Sequence, residues 1–128
     1  MLVTLNVPAT RAALMAAMEG LCHLNYVLLS RARLSGNPLP PLYRSGVRYK
    51  REQPGRERWL NVFELYEAGV GDCEDLAAAR VAELRMAGIP ALPWVKRTGA
   101  RKYHAQVARP DDTIEDPSLI LGMRRRRR

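Results

Sequence analysis

The side chain best suited to nucleophilic chemistry is Cys73, which the pattern of residues 69–90 places at the start of a helix. Asp72 is a good N-cap residue, and Asp75 follows three places later, where a capping box carries its acid. Unpaired backbone N–H groups and the positive end of the helix dipole favour a thiolate in this first turn. Glu74 and Asp75 oppose that effect, because negative charge beside a thiol raises its pKa. Cys73 therefore needs a base to act as a nucleophile.

A histidine and an aspartate that could complete such a site lie in residues 102–118, which read as two short strands around a turn at residues 110–112. Side chains alternate along a strand, so His104 shares a face with every second residue. Asp116 precedes a proline and is biased toward extended backbone. If both side chains share a face, the carboxylate can hold one imidazole nitrogen while the other faces a thiol.

Whether the two side chains share a face depends on the hairpin register. A loop with an odd number of residues places them on one face. Pairing Ala108 with Asp112 sets the histidine directly opposite the aspartate, and pairing Arg109 with Thr113 makes them diagonal neighbours. A two-residue loop would put them on opposite faces, and the sequence leaves the register open.

Four motifs in this region resemble those of the transglutaminase-like, papain-related cysteine enzymes, namely G-D-C-E-D-L-A, A-G-I-P-A, H-A-Q-V and D-P-S. In that family a cysteine at a helix N-terminus packs against a small antiparallel sheet that carries a histidine and an aspartate. The resemblance covers roughly residues 59–118. It implies an α+β fold with a papain-like core, in which Cys73 is the nucleophile, His104 the base and Asp116 the acid that orients the base.

The same resemblance implies an enzyme of acyl transfer on an amide, through a thioester formed on Cys73. Water would then give hydrolysis or deamidation, and an amine would give transamidation. A peptide, an isopeptide and a peptidoglycan stem are all open as substrates. The backbone N–H of Cys73 is expected to hold the oxyanion, and Trp59 and Asn61 lie in the right region to complete the oxyanion hole. No metal or organic cofactor is required.

A fainter likeness extends to Leu121-Gly122-Met123 and back over residues 43–52, and it is to small transglutaminase-like proteins encoded by tailed bacteriophages. It leads to a second hypothesis, in which the protein is a virion or assembly component that uses the fold as a non-catalytic interaction module. Its partners would then be DNA or phage structural proteins. The two hypotheses differ in whether the cysteine is reactive.

The chain of 128 residues suits one domain, which we place at residues 1–123, with an N-terminal helix at 8–34 and a core at 43–118. Its 47% hydrophobic content is enough for a packed core. The net charge is +8, and subtracting five C-terminal arginines leaves about +3 for the rest. We predict that these arginines form a separate tail, which is a solvated end, a contact for nucleic acid or another polyanion, or a contact for an acidic protein surface. Any binding to nucleic acid is expected to be non-specific, because no aromatic residue lies among the arginines. The tail consists of Arg124, Arg125, Arg126, Arg127 and Arg128.

Two cysteines do not make a disulfide framework. The sequence shows neither a basic-then-apolar leader nor an apolar run that approaches the length of a membrane span. These features predict free thiols, no membrane contact and folding in a reducing cytoplasm. The expected location is the cytoplasm of a bacterial host or, for a phage-encoded protein, the virion.

The first helix, at residues 8–34, is opened by Pro8 or Thr10 and is expected to break at Gly20. Cys22 and His23 lie inside it, and neighbours in a helix point about 100° apart, so they make a poor catalytic pair. We interpret them as a buried thiol and a half-exposed imidazole. Zinc binding by Cys22, His23, Cys73 and His104 is disfavoured because their spacing matches no recognised zinc motif.

Sequence patterns also predict the positions of the other helices and strands. Residues 43–51 alternate and predict a half-buried strand, and residues 61–68 predict a short helix with Asn61 as N-cap. Residues 91–97 predict a strand and residues 98–101 a turn. The helix that begins at Cys73 is expected to bury one small and apolar face, formed by Ala77, Val81 and Leu84, and to end at Gly88.

Overall fold

The computed structural model describes residues 10–52, 58–99 and 102–124. Within these ranges the helices are α1 (Arg11–Leu34), α2 (Val62–Ala68), α3 (Cys73–Met86) and α4 (Pro117–Ile120), with a 3-10 turn at Leu42–Arg44. The strands are β1 (Arg48–Tyr49), β2 (Val70–Gly71), β3 (Leu92–Gly99), β4 (Lys102–Ala108) and β5 (Ile114–Glu115). β1 and β2 form a parallel pair, and β3, β4 and β5 form an antiparallel sheet in that order. The predicted α+β class is confirmed.

Helix α3 lies at the centre of the domain, between two hydrophobic clusters. Ala77 and Val81 pack in a cluster with α1, β3 and β4, whereas Leu76 and Ala79 pack in a second cluster with α2 and the 3-10 turn. The prediction of a single apolar face was therefore too narrow. The run of three alanines buries small side chains on both sides, which lets neighbouring elements approach the helix closely.

Both ends of α3 are formed as the sequence predicts. Asp72 and Asp75 form a reciprocal capping box at the start. At the end, the N–H of Gly88 bonds to the carbonyl of Arg85 and the N–H of Ile89 to that of Leu84, which is the Schellman pattern. Gly88 has a φ of 85°, a left-handed conformation that glycine adopts without steric cost. These caps fix the position of Cys73 as the first residue of α3.

Helix α1 is continuous, which corrects the break expected at Gly20. Thr10 caps it by accepting the N–H of Ala13, and Pro8 lies outside the described residues. Cys22 is fully buried, as predicted, and His23 is exposed rather than half-exposed. By length and composition alone α1 could cross a membrane, contrary to the expectation from the sequence, although the core helix of a soluble protein and a signal sequence pass the same test.

The strand predicted over residues 43–51 is wrong except at Arg48–Tyr49. Gly46 has a φ of 85°, and Ser45 before it has helical backbone angles, so the chain turns there instead of extending. Val47 is nevertheless buried, and the residues on either side of it are exposed. Alternating burial thus arose from a turn followed by a two-residue strand.

Candidate active site

The hairpin adopts the second of the two odd registers. Val107 pairs with Glu115, and the N–H of Arg109 bonds to the carbonyl of Thr113 at 2.9 Å. Three residues remain in the loop, and among them Asp112 has a φ of 66°, as a tight turn requires. His104 and Asp116 are therefore diagonal neighbours on one face of the sheet.

This register brings the imidazole and the carboxylate into contact. His104 Nε2 lies 2.8 Å from Asp116 Oδ2, and both side chains are largely buried, with 14% and 12% exposure. Burial alone would raise the pKa of the Asp116 carboxyl, but hydrogen bonds from His104 and Gln106 outweigh it and hold that pKa below its usual value. Asp116 is thus ionised and can only accept, so the imidazole proton lies on Nε2 and Nδ1 is the nitrogen left for a thiol.

Cys73 is the first residue of α3, and its sulfur lies beside β4. The backbone N–H of Ala105, the residue after His104, donates to the sulfur and lowers the pKa of the thiol. The two short segments that carry the cysteine and the histidine are therefore in contact. In the part of the chain that the structure describes, however, the thiol's own hydrogen bond goes to Glu74 Oε2, at 3.3 Å, rather than to His104.

The environment of Cys73 favours the thiol over the thiolate. Burial raises its pKa most, and the negative charges of Glu74 and Asp72 raise it further. The opposition predicted for Glu74 is confirmed, and the pKa of the thiol is raised although Cys73 lies at a helix start. A proton acceptor at the moment of attack is consequently more important here than a preformed thiolate.

Asp75 ties the start of α3 to the chain before α2. It is fully buried, and its two oxygens accept the N–H of Leu60 at 2.8 Å and that of Asp72 at 3.1 Å. Burial nevertheless raises the pKa of Asp75 to about 7, and burial with the charges of Asp72 and Asp75 raises that of Glu74 to about 8. Glu74 and Asp75 are therefore partly protonated near neutral pH.

Some of the groups expected to bind an oxyanion already form hydrogen bonds within the protein. The backbone N–H of Cys73 donates to Asp72 Oδ1 at 2.7 Å, so an oxyanion would have to displace this contact. The Asn61 side-chain oxygen accepts the N–H of Glu64 as the cap of α2, which leaves the amide nitrogen as its donor. Trp59 packs against the same hydrophobic cluster as Cys73 and is partly buried. Trp59 and Asn61 are both predictions for the second oxyanion donor.

Two further residues, which were not singled out from the sequence, lie at the site. Gln106 donates to Asp116 Oδ2 at 3.0 Å. Tyr49 pairs with Gly71, and burial followed by the charges of Asp72 and Cys73 raises the pKa of its phenol to about 12. The alternation of H-A-Q-V places Gln106 on the face of His104, and that signal was present in the sequence. The position of Tyr49 depends on pairing between distant segments and had no local signal.

On the opposite face of β5, Glu115 anchors the strand to α3. Its carboxylate accepts Arg80 Nε at 2.6 Å, Arg109 Nη2 at 2.7 Å and the Tyr43 hydroxyl. The Arg80 guanidinium also lies over the Tyr43 ring, 4.6 Å from its centre. This network fixes the residue immediately before Asp116.

A metal ion needs several ligand atoms close together. Within the described ranges, such atoms lie within 4.8 Å of one another in Asp72, Cys73 and Glu74. Asp72 already caps α3, and adjacent acids are common at helix starts, so we assign no metal site to them. The zinc set considered from the sequence is not brought together in this part of the chain, since Cys22 is buried in α1 and His23 is exposed.

The family model of the transglutaminase-like superfamily matches residues 42–110, a range that includes Cys73 and His104 and ends before Asp116. The chain belongs to this superfamily. Comparisons with curated proteins and with solved structures give no significant match.

Proposed function

We propose that the protein is a cysteine-dependent acyl-transfer enzyme acting on an amide. The observation that carries this proposal is the His104–Asp116 pair, bonded at 2.8 Å beside a helix-start cysteine whose sulfur contacts the backbone of β4. Membership of the superfamily supports the same reaction class.

In the proposed mechanism, His104 Nδ1 takes the proton from Cys73 as the sulfur attacks the amide carbonyl carbon. Asp116 stabilises the imidazolium that forms. Collapse of the tetrahedral intermediate breaks the C–N bond, the imidazolium gives its proton to the departing amine, and a thioester remains on Cys73. Water then releases a carboxylic acid and regenerates the thiol, or an amine takes the acyl group.

A trapping experiment tests this proposal across all three substrate classes. The protein is incubated with a peptide amide, an isopeptide and a peptidoglycan stem peptide, and intact-protein mass spectrometry looks for an acyl adduct on Cys73. Cys73→Ala should abolish both adduct and product, and Asp116→Asn should retain weak activity because Asp116 orients rather than reacts. Full turnover by Cys73→Ala would refute the assigned nucleophile.

The alternative is a non-catalytic interaction module, for example in a phage virion, and the raised pKa of Cys73 with its hydrogen bond to Glu74 favours it. In that function the arginine tail would contact DNA or a neighbouring subunit. Residues 125–128 of the tail lie outside the described residues. Co-purified DNA or structural proteins, with no adduct on Cys73, would support the module and a cytoplasmic or virion location.

A further inference from the structure

The Asp116 carboxylate is held by more than the histidine. Gln106 Nε2 lies 3.0 Å from Oδ2, the oxygen that His104 Nε2 reaches at 2.8 Å, and the N–H of Leu119 reaches Oδ1 at 3.3 Å. An ionised carboxylate only accepts hydrogen bonds, so the glutamine must present its NH2 group. His104 and Gln106, two polar side chains on this face of β4, thus donate to one oxygen.

The sheet register explains how Gln106 reaches Asp116. Asp116 lies one step past the Val107–Glu115 pair, which places it directly across from Gln106, whereas His104 reaches it on the diagonal. On its other side Gln106 pairs with Trp94 of β3. Gln106 therefore lies in the middle strand of the sheet, and its backbone is paired with β3.

Few of the described groups around Asp116 hold its carboxylate in place. Glu115 points to the opposite face, where Arg80, Arg109 and Tyr43 hold it. Among the described residues, the side chains that hydrogen-bond to Asp116 are those of His104 and Gln106. The Leu119 contact comes from the backbone of α4 and fixes the second oxygen.

We propose that Gln106 is a positioning residue, which holds Asp116 in the orientation that keeps the His104 proton on Nε2 and leaves Nδ1 for Cys73. This inference rests on the proposed function, because the tautomer matters only if Nδ1 accepts the thiol proton. Without the glutamine, Oδ2 would keep one side-chain donor instead of two, and rotation of the carboxyl group would release the imidazole.

The test replaces Gln106 by methionine, which has similar length and no N–H group. Carbon-13 NMR should show the pKa of Asp116 rising toward its ordinary value, because a donor to the charged form has been lost. Nitrogen-15 NMR of the His104 ring should change from the Nε2–H tautomer to a mixture. Alkylation of Cys73 at pH 7 should slow by roughly three- to thirtyfold. Lys102→Met, an exposed change on the same strand, should alter none of these.

A second variant, Gln106→Glu, keeps the shape and should raise the pKa of Asp116 at least as far, because a carboxylate replaces the donor. If Asp116 titration and the His104 tautomer are unchanged in both variants, the inference is wrong. That failure is distinct from failure of the proposed function. A Cys73 that does not depend on His104 overturns the function, while the NMR measurements on Gln106 variants still report on Asp116.

Discussion

Replacing Glu74 by glutamine is expected to speed the alkylation of Cys73 by roughly tenfold or more at pH 9, with a much smaller change at pH 6. The thiol donates to Glu74 Oε2, and the charge of Glu74 is, after burial, the largest influence that raises the pKa of Cys73. Glutamine keeps an acceptor oxygen in the same place and removes the charge. More thiolate is then present at a given pH.

The pH dependence follows from Glu74 itself, whose pKa is raised to about 8. Above that pH the carboxylate is ionised and repels a thiolate, so its removal has the full effect. Below it the carboxyl is increasingly neutral, and wild type and variant converge. Glu67→Gln, an exposed change on α2, is the matched control and should leave the rate unchanged. A Glu74→Gln protein with wild-type rates at pH 9 would show that the charge does not act on the sulfur.

Replacing Asp75 by alanine should lower the free energy of unfolding by about 2–5 kcal/mol, because the partly buried N–H groups of Leu60 and Asp72 both lose their acceptor. Chemical denaturation measures the change. Glu67→Ala, at an exposed position, should stay within about 0.5 kcal/mol of wild type. Equal stability of the two variants would mean that Asp75 does not hold the start of α3.

Asp75 also predicts a pH dependence of stability. Its pKa is about 7 in the folded protein and about 4 in the unfolded chain. At pH values between these two, the unfolded chain binds fewer protons than the folded protein does. The contribution of Asp75 to the free energy of unfolding should therefore fall as the pH rises through this window. Asp75→Asn cannot titrate, so the slope of its stability against pH should be less negative than that of wild type. Identical slopes would contradict the raised pKa.

The parts of the site that could be predicted from the sequence are those fixed by short-range chemistry. The capping boxes at Asp72 and Asn61 depend on residues three positions apart, and both form as predicted. Turn residues likewise indicated the turn at residues 110–112, whereas the odd loop that brings His104 and Asp116 to one face was one of the registers that the sequence left open. Local patterns were enough to place the functional side chains on their elements.

The parts that could not be predicted depend on contacts between distant segments. The burial of Cys73, and hence the size of its pKa shift, depends on how α1 and β4 pack on α3. Two odd registers were compatible with the sequence, and only the observed one sets Gln106 opposite Asp116. The turn at Gly46 broke a segment whose alternation was typical of a strand. In each case long-range packing decided between locally acceptable structures.

The dependence of Cys73 alkylation on His104 tests the central claim most directly. Trypsin releases Cys73 and Cys22 on separate peptides, cut at Arg58 and Arg80 and at Arg11 and Arg31, so mass spectrometry follows each thiol with iodoacetamide in one sample. At pH 7 we expect Cys73 to react much faster than the fully buried Cys22, and His104→Ala to slow Cys73 by roughly a hundredfold. His23→Ala, on the exposed histidine of α1, should leave the rate unchanged. An equal rate for Cys73 in wild type and His104→Ala would contradict a nucleophile activated by the His104–Asp116 pair.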